Sequence, residues 1–275
     1  NRSFSFSGAP EEQADRTPTA GGLVARGNHD LYLLNTDGSA PARLTTTTSW
    51  NSGLAWSPDG KNLAFTSNRD GTWDIYTMTF PSGAVTRLTT SAAQDGWPSW
   101  TPDGKRIVFM SSREGAPQLY IMNADGKNAA RLNLSETADT FPVVSPDGAK
   151  IAYVAQTPDS DESEIYVMDI DGGNATRLTT TGGYNSQPTW SPDGRRIAFV
   201  SNRDGNSHIY AMNADGGGQV ALTTGASEDV TPTWGYLYLP PLAATPAERA
   251  GWPLPGAVFG ATLAGLGRRR MGAIC

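Results

Sequence analysis

Cysteine is almost absent from this chain. Its 275 residues include one, Cys275, so neither a disulfide framework nor a thiolate metal cluster forms within one chain. Histidine is nearly as scarce, with only His29 and His208. Their spacing fits no metal pair, and no Gly-x-Ser-x-Gly elbow supplies a nucleophile for a triad. Positive charge is thin: 21 Lys and Arg stand against 27 Asp and Glu, a net charge of −6. With no basic stripe in the repeats, nucleic acid is excluded as a partner, because phosphate neutralisation needs clustered cations. Long apolar runs are missing too. Leu254 to Gly267 is weakly apolar and precedes Arg268-Arg269-Arg270, but it is Gly-rich and falls short of the roughly 20 residues of a spanning helix.

What the chain does have is a repeated turn. Ser57-Pro58-Asp59-Gly60 returns as Thr101-Pro102-Asp103-Gly104, Ser145-Pro146-Asp147-Gly148 and Ser191-Pro192-Asp193-Gly194. Trp56, Trp100, Val144 and Trp190 precede these turns, and Trp234 holds the same place without one. The intervals along that series are 44, 44, 46 and 44 residues. About 40–45 residues is the length of one four-stranded propeller blade. After each turn comes a strand alternating apolar residues, such as Ile107 and Phe109. A polar loop leads to a third strand of the type Leu119-Tyr120-Ile121-Met122, and a second turn leads to a fourth strand ending Arg-Leu-Thr, as at Arg87-Leu88-Thr89. Period-two patterning between Gly-, Asn- and Asp-rich turns is an all-β signature, and the repeats carry no amphipathic helix. Pro98, Pro142, Pro188 and Pro232 sit two residues before the Trp position. Proline cannot donate to a ladder, so this first strand is an edge, the one lining the channel.

The fold expected is therefore a five-bladed β-propeller closed by strands from both termini. Leu23-Val24-Ala25, Asp30 to Leu33 and Arg43 to Thr45 supply three strands of the first blade, and Val230 to Trp234 supplies the missing innermost one. Six blades follow instead if Ser3–Ser7 and Tyr236–Leu239 each add strands. On this reading 1–20 is a polar leader or added strand, 21–238 the propeller, and 239–275 a Pro/Gly-rich extension.

Counting five back from each Trp-position residue gives Asn51, Asp95, Asp139, Asn185 and Asp229. Symmetry sets these at one level of the innermost strands, a ring at the channel mouth. Such oxygens would hold a hard cation such as Ca²⁺ or receive a basic side chain, or each would cap its own loop through an Asx turn. No other cofactor is expected. One irregular loop carries Asp159, Asp161, Glu162 and Glu164, four carboxylates that would contact a cation or a basic surface, or simply face solvent. Asp169 to Asn174 resembles a calcium loop in isolation, but sister blades place Asn123–Gly126 and Asn213–Gly216 at the same turn, so it reads as structural. Arg69, Arg113 and Arg203 recur in the loops and read as partners for neighbouring Asp.

Together the Trp-Ser-Pro-Asp-Gly, Ser-Asn-Arg-Asp-Gly, Ile-Tyr-x-Met-Asn-Ala-Asp-Gly and Arg-Leu-Thr elements resemble the TolB-type, WD40-like β-propeller repeat over about residues 22–235. The resemblance does not extend to the α/β domain that precedes the propeller in TolB. It implies the propeller fold, a periplasmic or cell-surface location, and a habit of binding other macromolecules rather than catalysis. The tail, with Trp252-Pro253-Leu254-Pro255, a short apolar segment and three arginines, is similar in layout to PEP-CTERM-type sorting signals. Three functions follow as expectations. The first is a non-enzymatic binding scaffold for a protein or peptide at the channel mouth or loop face, touching a membrane only through its tail. The second is a self-assembling subunit joined through its terminal extensions, and the third a hydrolase or lyase.

Overall fold

The computed structural model of the protein describes residues 14–16, 22–27, 30–35, 42–46, 48–133, 135–156, 162–235 and 258–263. Among them there is no helix, and the strands form an all-β propeller of consecutive antiparallel sheets. The first sheet is β1 (Ala14–Arg16), β2 (Gly22–Gly27), β3 (Asp30–Asn35) and β4 (Ala42–Arg43). The second is β5 (Asn51–Trp56), β6 (Asn62–Ser67), β7 (Asp74–Thr79) and β8 (Ala84–Arg87). The third is β9 (Asp95–Trp100), β10 (Arg106–Ser111), β11 (Gln118–Asn123) and β12 (Ala130–Arg131). The fourth is β13 (Ala138–Val144), β14 (Lys150–Gln156), β15 (Ser163–Asp169) and β16 (Thr176–Arg177). The fifth is β17 (Asn185–Trp190), β18 (Arg196–Ser201), β19 (His208–Asn213) and β20 (Val220–Ala221). A two-stranded sheet of β21 (Asp229–Gly235) and β22 (Val258–Leu263) follows.

The repeated turn is built by its own side chains. Ser57 Oγ donates to Asp59 Oδ1 at 2.6 Å, and that carboxylate accepts the Lys61 amide at 3.1 Å. Ser57 Oγ in turn accepts the Asn62 amide at 2.9 Å, which starts the next strand. Thr101 with Asp103, Ser145 with Asp147 and Ser191 with Asp193 repeat the same knot. A hydrogen bond to the ionised form lowers a carboxyl pKa, and the hydroxyl donor is the main reason all four aspartates sit below their ordinary value.

Period-two alternation serves two interfaces at once, because both faces of the middle strands are covered. Leu63 and Phe65 pack with Leu31 of the preceding sheet, whereas Ala64 between them packs with Trp100, Ile107 and Phe109 of the following one. Ile107 and Phe109 face back in the same way, and Val108 faces forward to Val144 and Ile151. The core is thus a series of clusters between sheets. Tryptophan ties those interfaces: Trp100 Nε1 donates to Ala55 O, Trp190 Nε1 to Val143 O and Trp234 Nε1 to Thr189 O, each at 3.1 Å and each one blade back. The turn at Asp169 is also an interface part. A Cβ on Gly172 (φ +90°) would stand 2.0 Å from the backbone oxygen of Leu132 in the preceding blade, so only glycine fits there. Asp169 itself pairs with Lys150 Nζ at 2.9 Å and Asn174 Nδ2 at 2.7 Å. Its role is structural, as sister-blade comparison indicates.

The termini depart from expectation. The innermost position of the first sheet is taken by Ala14–Arg16, from the leader, which pairs antiparallel with β2 in the register Ala14↔Ala25. Val230 to Trp234 therefore does not complete that blade. It lies in β21 and pairs with Val258–Leu263 in the register Trp234↔Phe259. The C-terminal extension, Pro- and Gly-rich as it is, thus supplies a strand. A partner about 25 residues downstream closes a far shorter loop than one at the other end of the chain, which favours this pairing entropically. Ser3–Ser7 and Tyr236–Leu239 lie outside the described residues.

Candidate functional site

The innermost strands β5, β9, β13, β17 and β21 pack side by side in succession. They carry the five oxygen-bearing residues of the expected ring at their heads. All five are buried: Asn51, Asp95, Asp139 and Asn185 are 0% exposed and Asp229 is 6% exposed. Each is engaged close to home. Arg69 Nη2 donates to Asn51 Oδ1, Arg113 Nη2 to Asp95 Oδ1 and Arg203 Nη2 to Asn185 Oδ1, each at 3.1 Å. These guanidiniums lie over aromatic pairs of their own blades: Arg69 is 4.7 Å from the Tyr76 ring centroid, Arg113 4.6 Å from Tyr120 and Arg203 4.5 Å from Tyr210. The recurrent loop arginines thus clamp the strand heads, Arg113 through an aspartate and Arg69 and Arg203 through asparagines.

The fourth sheet manages without such an arginine among the described residues. Asp139 accepts from Asn133 Nδ2 at 2.8 Å, Ser135 Oγ at 2.6 Å and Thr137 Oγ1 at 2.7 Å. Burial still outweighs these donors and pushes its carboxyl above the ordinary aspartate value. Asp229 faces His208 Nδ1 at 3.4 Å. A hard cation needs six to eight oxygens free to turn towards it. Here a guanidinium already holds three of the five positions, so this donor set does not suit a shared Ca²⁺. Among the described residues no three His, Cys, Asp or Glu side chains converge on one point.

Glu164 is likewise not an exposed loop carboxylate. It belongs to β15, is 5% exposed, and is held by Arg177 and Thr179. Its equivalents are Asp74, bound by Arg87 at 2.7 Å and Thr89 at 3.1 Å, and Gln118, bound by Arg131 at 2.9 Å. The repeated Arg-Leu-Thr motif therefore exists to latch the fourth strand onto the head of the third. Glu162 is exposed; Asp159 and Asp161, like His29, lie outside the described residues. His208 occupies the latch position of the fifth sheet, where Ala221 replaces the arginine.

A second level of the same strands was missed. Two residues beyond each buried head, each of these five strands bulges, and the residue there adopts a left-handed φ. These are Gly53 (+55°), Trp97 (+49°), Phe141 (+51°), Gln187 (+50°) and Thr231 (+54°). The ladder slips at this point in all five strands. A bulge re-aims a side chain, and a bulky or β-branched residue at positive φ is an outlier of about 1–3 kcal/mol. Neighbouring positions meet in three places. Trp97 and Phe141 form a tilted pair with ring centroids 4.3 Å apart at 43°. The Thr231 amide donates to Gln187 Oε1 at 2.7 Å. A Cβ on Gly53 would stand 3.2 Å from the Trp97 backbone. The non-glycine members are half-buried, alternating with the buried prolines. Ala55, Ser99, Val143, Thr189 and Thr233 follow two residues on, and none is fully buried. This two-tier wall carries no charge. One signal was legible: a fixed position, just before Pro98, Pro142, Pro188 and Pro232, whose residue changes in every repeat.

Consecutive antiparallel sheets and an uncharged layer on the innermost strands define the class, a β-propeller. The sequence places it further: the TolB beta propeller domain, PD40, matches residues 4–94, 55–160 and 157–236, and the chain belongs to that family. No curated protein sequence matches it. Among solved structures it is similar to the putative TolB from Agrobacterium tumefaciens, at 25% identity and a TM-score of 0.71, with 78% of this chain and 82% of that one covered. It is also similar to TolB from Acinetobacter baumannii, at 25% identity and a TM-score of 0.65. There the match covers 80% of this chain but 54% of that protein, so the chain spans about half of its length. The oligogalacturonate lyase from Vibrio parahaemolyticus shares the fold at 16% identity and a TM-score of 0.59, covering 81% and 69%.

Proposed function

We propose that the protein is a non-enzymatic binding scaffold of the cell envelope or cell surface that takes a protein or peptide partner into its channel. One observation carries this reading. The recurrent ionisable side chains of the repeat are consumed by strand latches and clamps, while the axial wall is half-exposed, uncharged and different in every blade. A wall of that kind offers contact and shape, and its hydroxyls, as at Ser99 and Thr231, come with no charged group in the same wall to activate them. The family supports the same reading, since TolB likeness implies an exported, macromolecule-binding propeller. The lyase shares architecture alone and brings no residue roles to this chain.

A site-specific crosslinking experiment tests it. A photo-reactive phenylalanine analogue replaces Phe141 in one preparation and Val85, exposed on the outer strand β8, in another. Both are irradiated in an envelope extract. A discrete adduct at position 141 that is absent from position 85 supports channel binding. Adducts of equal yield at both positions, or at 85 alone, would overturn it.

A further inference from the structure

Between the second and third sheets, at the end that carries the Pro-Asp-Gly turns, lies a cavity of about 460 Å³. Its size falls within the roughly 300–1,000 Å³ of small-molecule sites. Two departures from the repeat meet on it. The first is Thr77 of β7. Ile75 belongs to the cluster shared with the third sheet and Tyr76 and Met78 to the one shared with the first, so by alternation Thr77 faces the third sheet, where it lines the cavity. In the same frame the other blades place Leu33, Ile121, Val167 and Ala211, all apolar. The second is Ala124, which lines the cavity from the opposite sheet. Its counterpart in the second sheet is Phe80: the Ala124 amide bonds Lys105 O at 2.9 Å, and the Phe80 amide bonds Lys61 O at 2.8 Å. Phe80 sets its ring 4.9 Å from that of Trp56. Trp100, the equivalent tryptophan, has only Ala124 in that place, and both line the cavity.

The polar groups of the cavity keep hydrogen-bonding capacity that the protein does not use. Thr77 is 9% exposed, yet its hydroxyl makes no hydrogen bond among the described residues. A hydroxyl nine-tenths buried, where sister blades place carbon, calls for a partner from outside. Asn62 accepts Thr79 Oγ1 at 2.9 Å through Oδ1, which leaves its Nδ2 to donate. Asp59 and Asp103 turn Oδ1 to their own loops. Their Oδ2 atoms are left over, that of Asp59 with only the exposed Lys61 ammonium 3.9 Å away. Trp100 Nε1 is taken by Ala55 O at 3.1 Å, so its indole offers carbon surface alone.

We propose that this cavity is a binding site for an uncharged sugar. The ligand class follows from the lining. No lining residue is a cation, so an anion would face two carboxylates with nothing to balance its charge. An ammonium or guanidinium would suit those carboxylates, but it has no acceptor for Asn62 Nδ2 and would lose water beside Thr77. A sugar hydroxyl both donates and accepts. Several on one ring serve the carboxylates, the amide and the Thr77 hydroxyl together, while the C–H face lies on Trp100 and the neighbouring Pro58 and Pro102. The site lies between two blades and not on the bulge layer, so it stands or falls apart from channel binding.

Saturation-transfer difference NMR on the full chain tests it. The probes are glucose, galactose, mannose, N-acetylglucosamine and cellobiose, with galacturonate and lysine methyl ester as charged arms. The expected result is transfer to at least one neutral sugar and to neither charged compound. Ala124→Ile places there the residue that the next blade carries as Ile170, fills the cavity and should abolish the transfer. Ala214→Ile, the same change between the fourth and fifth sheets, should leave it intact. Thr77→Val keeps the volume and removes the hydroxyl, so Kd for the best sugar should rise roughly three- to tenfold, the worth of one neutral hydrogen bond. Its urea midpoint should not fall, which keeps the test decisive even if Ala124→Ile fails to fold. No transfer to any neutral sugar would overturn the site. So would a Kd unchanged in Thr77→Val, or a preference for galacturonate or the lysine ester.

Discussion

Two adjacent levels of the same strands behave in opposite ways. At the strand heads, Asn51, Asp95, Asp139, Asn185 and Asp229 alternate only between Asn and Asp, lie buried, and engage donors of their neighbourhood. Two residues on, Gly53, Trp97, Phe141, Gln187 and Thr231 share one backbone conformation, φ 49–55°, yet have five different side chains. A side chain that recurs in every repeat marks a task each blade performs for itself. A recurring backbone with unshared side chains marks positions released from that task.

The comparison breaks most readily at Asp95. Replacing it with Ala leaves the Arg113 guanidinium half-buried over Phe109 and Tyr120 with its carboxylate gone. Removing one partner of a buried pair costs several kcal/mol, and Arg113 keeps some access to water, so a loss of roughly 2–4 kcal/mol is expected by urea unfolding. A loss below about 1 kcal/mol would show that the heads are not the structural level.

Gly53→Ala comes next. Its Cβ would stand 2.9 Å from Thr66 Oγ1 and 3.2–3.3 Å from the Trp97 backbone, at a φ unfavourable to alanine. Strain plus the displaced neighbour predicts roughly 2 kcal/mol. Gly115→Ala, with φ +112° but nothing within 4 Å, isolates the strain component and should cost less in the same assay.

Acid titration sharpens the contrast between buried and exposed carboxylates. Burial raises the Asp139 pKa. A carboxyl raised in the folded state contributes stability that is complete below its unfolded pKa, about 3.9, and is lost as pH rises through the folded value. Asp139→Asn cannot titrate, so its deficit against wild type should shrink between pH 4 and neutrality. Asp103, lowered mainly by its bond from Thr101, has the opposite sign. Its stability is present above the unfolded pKa and is lost as pH falls, so the D103N deficit should grow over the same range. Urea midpoints across pH read both.

The repeat, the four strands of each blade and the strand-head positions were legible because each rests on local periodicity and turn chemistry. What the heads do was less legible. Arg113 lies 18 residues from Asp95, and only the ladder register brings the two together. Glu164 stands in the same frame as Asp74 and Gln118, yet its latch to Arg177, 13 residues on, is likewise made only by the ladder register. The bulges were the hardest to read. Trp, Phe, Gln and Thr give no sign of positive φ, and only Gly53 in the same frame pointed to it. Pairing of β1 with β2 and of β21 with β22 depends on backbone edges that many segments could fill, so composition does not select the partner.

The smallest effect expected is also the one that decides between the levels. Trp97→Gly relieves a left-handed tryptophan, worth about 1–3 kcal/mol, and loses an aromatic contact of roughly 0.5–1.5 kcal/mol. Glycine adds an unfolded-state entropy cost of about 0.5–1 kcal/mol, and some half-buried ring area is given up. These oppose one another, leaving a net change of about 1 kcal/mol or less in either direction by urea unfolding. A ring that belonged to the core would behave differently, because truncating a buried aromatic costs about 3–5 kcal/mol. A Trp97→Gly loss of that size would move the bulge layer into the scaffold and erase the distinction between the two levels. A near-zero change, with the channel's binding lost, would fix the bulge layer as the surface on which this propeller chooses its partner.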